Sequence, residues 1–141
     1  MDFAEIRDCR DLTIRSIIDH YALNQPEKVF AVFPDENSQI TWAELQETAR
    51  QLAQYLLNQG LTPGSRVGML RGNGRAALEL FLGVMYSGYT VATFNPVAGG
   101  SALRYVFGHS MIQIVFVDEE NRALAEEIKK NQIPGLKIVS G

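Results

Sequence analysis

The stretch RVGMLRGNGRAALELF, residues 66–81, reads as a short apolar strand, a glycine-bearing turn and an amphipathic helix. The helix should run from about Arg75 to Tyr86, and the same order then recurs down the chain. YTVATF is a strand closed by Asn95 and Pro96, a helix is expected from Ser101 to Gly108, and IQIVFVD is the next strand. A charged helix through EENRALAEEIKK and a last strand, LKIVS, complete the pattern. Such alternation implies parallel strands joined by right-handed crossovers. The predicted fold class is α/β, a mostly parallel sheet flanked by helices on both faces.

Upstream, DLTIRSIIDHYA (residues 11–22) spaces Leu12, Ile14, Ile17, Ile18 and Tyr21 as one face of a helix. KVFAVF, the turn PDENSQ and the short extended QIT together predict an N-terminal hairpin. Thr41 and Glu44 then form T-x-x-E, a capping box that opens a helix over residues 42–59. Leu45, Ala49, Leu52 and Leu56 fall on its inner face, Gly60 stops it, and Pro63 prevents continuation. The expected organisation is an N-terminal tail, residues 1–10, and a single α/β domain, residues 11–141.

Composition narrows the function classes. Hydrophobic residues at 46% and charged residues at 21% describe a globular chain and argue against disorder. The net charge of -3 comes from scattered charges with no block of Lys or Arg, which argues against a nucleic-acid partner. A lone Cys9 and the lack of any Cys/His cluster at ligand spacing give no metal site and suit a reducing, cytoplasmic location. The opening MDFAEIRDCRD does not resemble a secretory signal. Residues 80–103 carry no charge and have the length of a bilayer span, but Gly88, Asn95, Pro96, Gly99 and Gly100 break the run. A buried helix leading into a strand covered on both faces produces the same pattern, so no membrane span is predicted.

Gly72, Gly74 and Ala77 spell G-x-G-x-x-A, the pattern with which dinucleotide-binding folds bring backbone amides to a pyrophosphate. That reading also requires an acid about twenty residues on, at the end of the second strand, to bind the ribose. Phe94, Asn95 and Pro96 stand there instead, and the motif lies well inside the chain. A nicotinamide or flavin oxidoreductase is therefore the weaker reading, and the glycines are expected to ease a tight turn through positive backbone angles. Arg71 and Arg75 flank the turn and could attract an anion, although solvated surface is their commoner role.

Three segments in order carry a closer resemblance: ITWAEL (residues 40–45), GLTPGSRVGML (60–70) and FLGVMYSGYTVATFNP (81–96). With LRYVFGHSMIQIVFVDE (103–119), they resemble the N-terminal part of the adenylate-forming enzymes. That superfamily includes acyl-CoA synthetases, nonribosomal peptide adenylation domains and firefly luciferase. The Asn95–Pro96 pair is more similar to the acyl-CoA synthetase branch. The turn at Arg71–Gly74 keeps the Asn of the family's Leu-Pro-Asn-Ser and departs at the Pro and Ser.

The resemblance implies the N-terminal subdomain of the adenylate-forming fold, and a parent enzyme that uses ATP, Mg and CoA to activate a carboxylic acid. It also implies what is missing. The Ser/Thr/Gly-rich phosphate loop ending in Lys, the acid that aids magnesium, the ribose-binding Asp and the C-terminal Lys do not occur in these 141 residues. The chain is thus expected to be an incomplete part of a larger AMP-binding domain, with no catalytic residue of its own and no adenylation activity alone. Arg122 matches a position where some acetyl-CoA synthetase-like members contact the CoA nucleotide, while pairing with Glu119 or Glu126 is the plainer role for a helix arginine. A stand-alone, non-catalytic α/β binding module is the alternative. His20 and His109 are isolated from any acid, and Trp42, Phe81, Tyr86, Tyr89 and Phe94 sit at core spacings.

Overall fold

The computed structural model describes residues 12–141, so the predicted tail and Cys9 lie outside the described residues. Five helices and six strands follow one another: α1 (Ile14–Asn24), β1 (Val29–Phe33), β2 (Ser38–Thr41), α2 (Trp42–Asn58), β3 (Arg66–Leu70), α3 (Arg75–Tyr86), β4 (Thr90–Phe94), α4 (Gly100–Ser110), β5 (Ile114–Val117), α5 (Glu119–Asn131) and β6 (Lys137–Ser140). Strands β1 and β2 form the expected antiparallel hairpin, closed by a 3-10 turn at Pro34–Glu36 and by Asn37 in the left-handed region.

The other four strands pair in parallel in the order β4-β3-β5-β6. Their alternation of side chains sorts the core into two layers. Val67 and Ile114 point to the layer under α2 and α3, where Leu56, Leu80 and Val84 meet them. Leu70, Val115 and Val117 point to the opposite layer, packed against Leu103 and Phe107 of α4 and Ala125 and Ile128 of α5. Helices therefore cover both faces, as the strand–helix alternation predicts. A third cluster, Ile18, Ile40, Leu45, Ala49 and Tyr86, ties α1 and the hairpin to α2 and α3. Trp42 belongs to that layer, stacked on Tyr21 with ring centroids 4.6 Å apart and tilted on Phe30 at the same distance.

Caps set the helix starts. Thr41 accepts from the Glu44 N–H, and Glu44 accepts from the Thr41 N–H at 2.8 Å, completing the predicted box. Thr13 and Ser16 form a second box on α1, which begins at Ile14, later than the periodicity alone suggests. Close helix approach comes from Gly83 in α3, where a Cβ would stand 2.7 Å from Leu52 Cδ2 of α2.

Strand β4 differs from expectation. Its uncharged sequence predicts burial on both faces, but it lies at the edge of the sheet, with Thr90 and Thr93 exposed and Val97 beyond it 86% exposed. No helix among the described residues is long and apolar enough to cross a membrane.

Met111 closes α4 at φ 57°, a left-handed conformation that a side chain bearing Cβ adopts at a cost. Its side chain is largely exposed, so nothing is lost by removing it. Met111→Gly is expected to raise the unfolding free energy by roughly 0.5–1 kcal/mol, because the relieved strain exceeds glycine's entropy cost. Urea unfolding of the two proteins measures it, and a lowered midpoint would contradict the strain argument.

Candidate active-site crevice

Neighbouring strands β3 and β5 send their following loops to opposite faces of the sheet, one into α3 and the other into α5. In open α/β sheets this divergence at the carboxyl ends of the strands is where a ligand crevice forms. The opening motif lies on one wall, and Asp118 with the first turn of α5 forms the other.

Asp118 links the walls. One carboxylate oxygen accepts from the Gly72 N–H at 2.9 Å, and the other accepts from the Asn121 N–H at 3.1 Å, which makes Asp118 the N-cap of α5. Burial pushes its carboxyl up, but the Gly72 and Asn121 hydrogen bonds, with Arg71 nearby, outweigh burial and hold it below the usual carboxylate range. Arg71 donates to the Gly141 carbonyl at 3.0 Å and so binds the β3–α3 turn to the strand edge.

The lowered value fixes a sign. A carboxylate whose folded-state pKa lies below its unfolded value adds stability above the unfolded pKa of about 3.9, and that contribution is lost as pH falls through the folded value. Asp118→Ala is therefore expected to cost about 1 kcal/mol at pH 7, the usual loss for an N-cap. The gap from wild type should narrow below about pH 4. Urea midpoints across that range check it, and a gap that does not change with pH would overturn the assignment.

The fingerprint turn is built differently from its sequence reading. Only Gly74 has a positive φ, +141°, whereas Gly72 does not. Gly74 is the N-cap of α3 and has no side chain to offer, and the helix has no acid in its first turn. The missing acceptor comes from the hairpin: Glu36 accepts from the Arg75 N–H at 2.8 Å, and a Cβ on Gly74 would stand 2.3 Å from the same oxygen. A carboxylate of the chain itself thus occupies the place where a dinucleotide fold seats its pyrophosphate.

Arg75 is not the solvated arginine that its setting suggests. Its guanidinium donates to Ser38 Oγ at 3.0 Å and to the Gln39 carbonyl at 2.8 Å, and it pairs with Glu79 at 3.0 Å. The physical reason is the same docking: the hairpin lies across the start of α3 and supplies acceptors that local sequence does not reveal. An uncapped helix start following an acid-tipped turn was the available signal.

Arg122 lies one turn into α5, with its side chain about half exposed and Nη1 4.0 Å from Glu119. The structure thus brings together Gly72, Arg71 and Asp118, while the contact given for Arg122 is with Glu119. His109 stays apart, its ring nitrogen 2.9 Å from the Tyr105 carbonyl. Among the described residues, no three His, Cys, Asp or Glu side chains converge as a metal site.

A doubly wound sheet with its switch point between β3 and β5 defines the class, and comparison with known proteins supplies the family. The family model for AMP-binding enzyme matches residues 18–141. Over 120 residues the chain is 35% identical to 3-methylmercaptopropionyl-CoA ligase of Ruegeria pomeroyi, covering 84% of this chain and 22% of that protein. It is 30% identical over 111 residues to tyrocidine synthase 2 of Brevibacillus parabrevis, covering 79% of this chain and 3% of that protein. The luciferase-like enzyme of the nonluminescent mealworm Zophobas morio superposes with a TM-score of 0.85 at 16% identity, over 95% of this chain and 32% of that one. The chain belongs to the AMP-binding enzyme family. It spans about a fifth of the length of the Ruegeria ligase.

Proposed function

We propose that this chain is the N-terminal part of the larger AMP-binding domain of an ATP-dependent acyl-CoA synthetase. The parent enzyme joins a carboxylate to the α-phosphate of ATP, releasing pyrophosphate, and then passes the acyl group from the adenylate to the CoA thiol, releasing AMP. The observation that carries the reading is the family match over residues 18–141, together with a CoA ligase among the relatives. The Asn95–Pro96 strand end supports the acyl-CoA branch.

The residues present fit these groups unequally. The α3 N-terminus, the one phosphate-type cradle in the opening motif, is filled by Glu36, and the described residues bring no carboxylate cluster together for magnesium. No adenylation step is assigned to them. CoA fits better: the exposed Arg122 guanidinium can take a phosphate of its nucleotide, and CoA supplies the thiol that accepts the acyl group. Asp118 caps the helix that carries Arg122 and fixes it against the β3–α3 turn, so this part of the domain is a rigid wall for the crevice.

Two measurements test the proposal. The complete protein encoded by this reading frame should show carboxylate-dependent exchange of pyrophosphate into ATP, and the 141-residue chain alone should show none. Acyl-adenylate formation by the short chain would overturn the assignment, as would a complete protein lacking a Ser/Thr/Gly-rich loop with Lys. In the complete enzyme, Arg122→Gln should raise KM for CoA by about tenfold, the scale of one charge-assisted contact, and leave pyrophosphate exchange unchanged. An unchanged KM would remove Arg122 from the CoA site.

A further inference from the structure

The opposite end of the sheet holds a second feature that adenylation does not use. An open depression of about 480 Å³ lies between α1, α2 and the α3–β4 turn, lined by Arg15, Arg50, Gln54, Leu57, Ser87 and Tyr89. Its two ionised side chains are both arginines, contributed by different helices, in a chain whose net charge is -3.

Both arginines are exposed and adjoin one buried tyrosine, Tyr86. Arg15 lies with Cζ 5.0 Å from the centroid of the Tyr86 ring, within cation–π range. Arg50 reaches the same depression from α2, and the Tyr86 hydroxyl pushes its guanidinium pKa up. That hydroxyl donates to Asp19 Oδ1 at 2.7 Å, and Gln46 donates to the same oxygen at 2.7 Å. Burial pushes the Asp19 carboxyl up, but these two hydrogen bonds and the charges of Arg50 and Arg15 hold it below the usual carboxylate range, so it partly offsets the arginines. Glu47 accepts from Gln51 at 2.8 Å, and neither acid lines the depression itself. The end of α3 is also satisfied, since the Ser87 N–H and hydroxyl both donate to the Gly83 carbonyl, at 3.0 and 2.6 Å. Leu57, 64% exposed, and the edge of the buried Tyr89 add an apolar strip beside the polar Gln54 and Ser87.

We propose that this depression binds a phosphate monoester carrying a small apolar group. The paired guanidiniums take the phosphate oxygens, and Leu57 with Tyr89 takes the apolar part. Planar guanidiniums suit a phosphate because each presents parallel N–H donors at the spacing of its oxygens. This reading is independent of the acyl-CoA synthetase assignment.

Titration of the nitrogen-15-labelled chain with phenyl phosphate, followed by amide shifts, tests it. Saturable shifts are expected at Arg50, Ser87 and Tyr89, weakening as salt rises from about 20 to about 200 mM. The double variant Arg15→Gln, Arg50→Gln should lose about tenfold or more in affinity, and Arg50→Lys, which keeps the charge but not the fork, a smaller factor. Arg104→Gln, whose guanidinium pairs with Glu127 on α5, should bind as wild type. Absence of saturable shifts at these residues, or equal affinity in Arg50→Lys and wild type, would overturn the proposal. Equal affinity for inorganic phosphate and phenyl phosphate would remove the apolar subsite and with it the monoester claim.

Discussion

Gly74→Ala should lower the unfolding free energy by about 3 kcal/mol, from strain of about 1–3 kcal/mol at a backbone conformation essentially confined to glycine and from the lost acceptor at α3. The two causes are separable. At φ +141° and ψ -172° no side chain is tolerated, whatever surrounds it. The new Cβ also meets Glu36 Oε1 at 2.3 Å, so the carboxylate that receives the Arg75 N–H must leave. A double-mutant cycle with Glu36→Ala isolates the second cause, because once Glu36 is truncated the alanine methyl displaces nothing. The two substitutions together should cost clearly less than the sum of each alone. Gly72→Ala is the control: its Cβ would meet only Asp118 Oδ2, at 3.9 Å, and its φ is not positive. Equal losses at Gly72 and Gly74 would refute this account of the turn.

Phe107→Ala should be the most damaging single truncation, costing about 3–5 kcal/mol as measured by denaturant midpoint at unchanged slope. Phe107 is fully buried and heads the core layer beneath α4 and α5. Its ring stacks on Phe94 at 4.1 Å between centroids, so its loss opens a cavity against the last residue of β4. Phe107→Leu, which keeps most of the volume, should cost less than half as much. A loss below about 1 kcal/mol for the alanine variant would mean that α4 is only loosely seated on the sheet.

The sheet was legible because its signals are local. Each strand from Arg66 to Ser140 is a short apolar run, and each intervening helix places its apolar residues on one face. The alternation of elements and a parallel sheet with right-handed crossovers follow from that pattern, though not the order of strands within the sheet. Thr41 and Glu44 announced α2 by chemistry confined to four positions. The docking of the hairpin on α3 was not legible, because Glu36 and Arg75 meet across 39 positions and neither residue type is unusual where it stands. Asp118 was visible only as part of an acidic loop; its bond to Gly72 depends on β3 and β5 being neighbours, a fact of strand order. The edge position of β4 was not legible for a related reason. An uncharged strand records that its faces are to be covered, without recording which neighbour lies alongside.

That edge has a consequence for handling the protein. Along Thr90–Phe94, β4 carries no lysine, proline or bulge, the devices by which natural sheets discourage strand addition, and its outer N–H and C=O groups have no partner strand among the described residues. Concentrated solutions of the isolated chain should consequently self-associate through this strand, and a lysine at the exposed Thr93 should keep them monomeric. The middle of what reads in sequence as a membrane-length apolar run is, in three dimensions, the open border of a sheet.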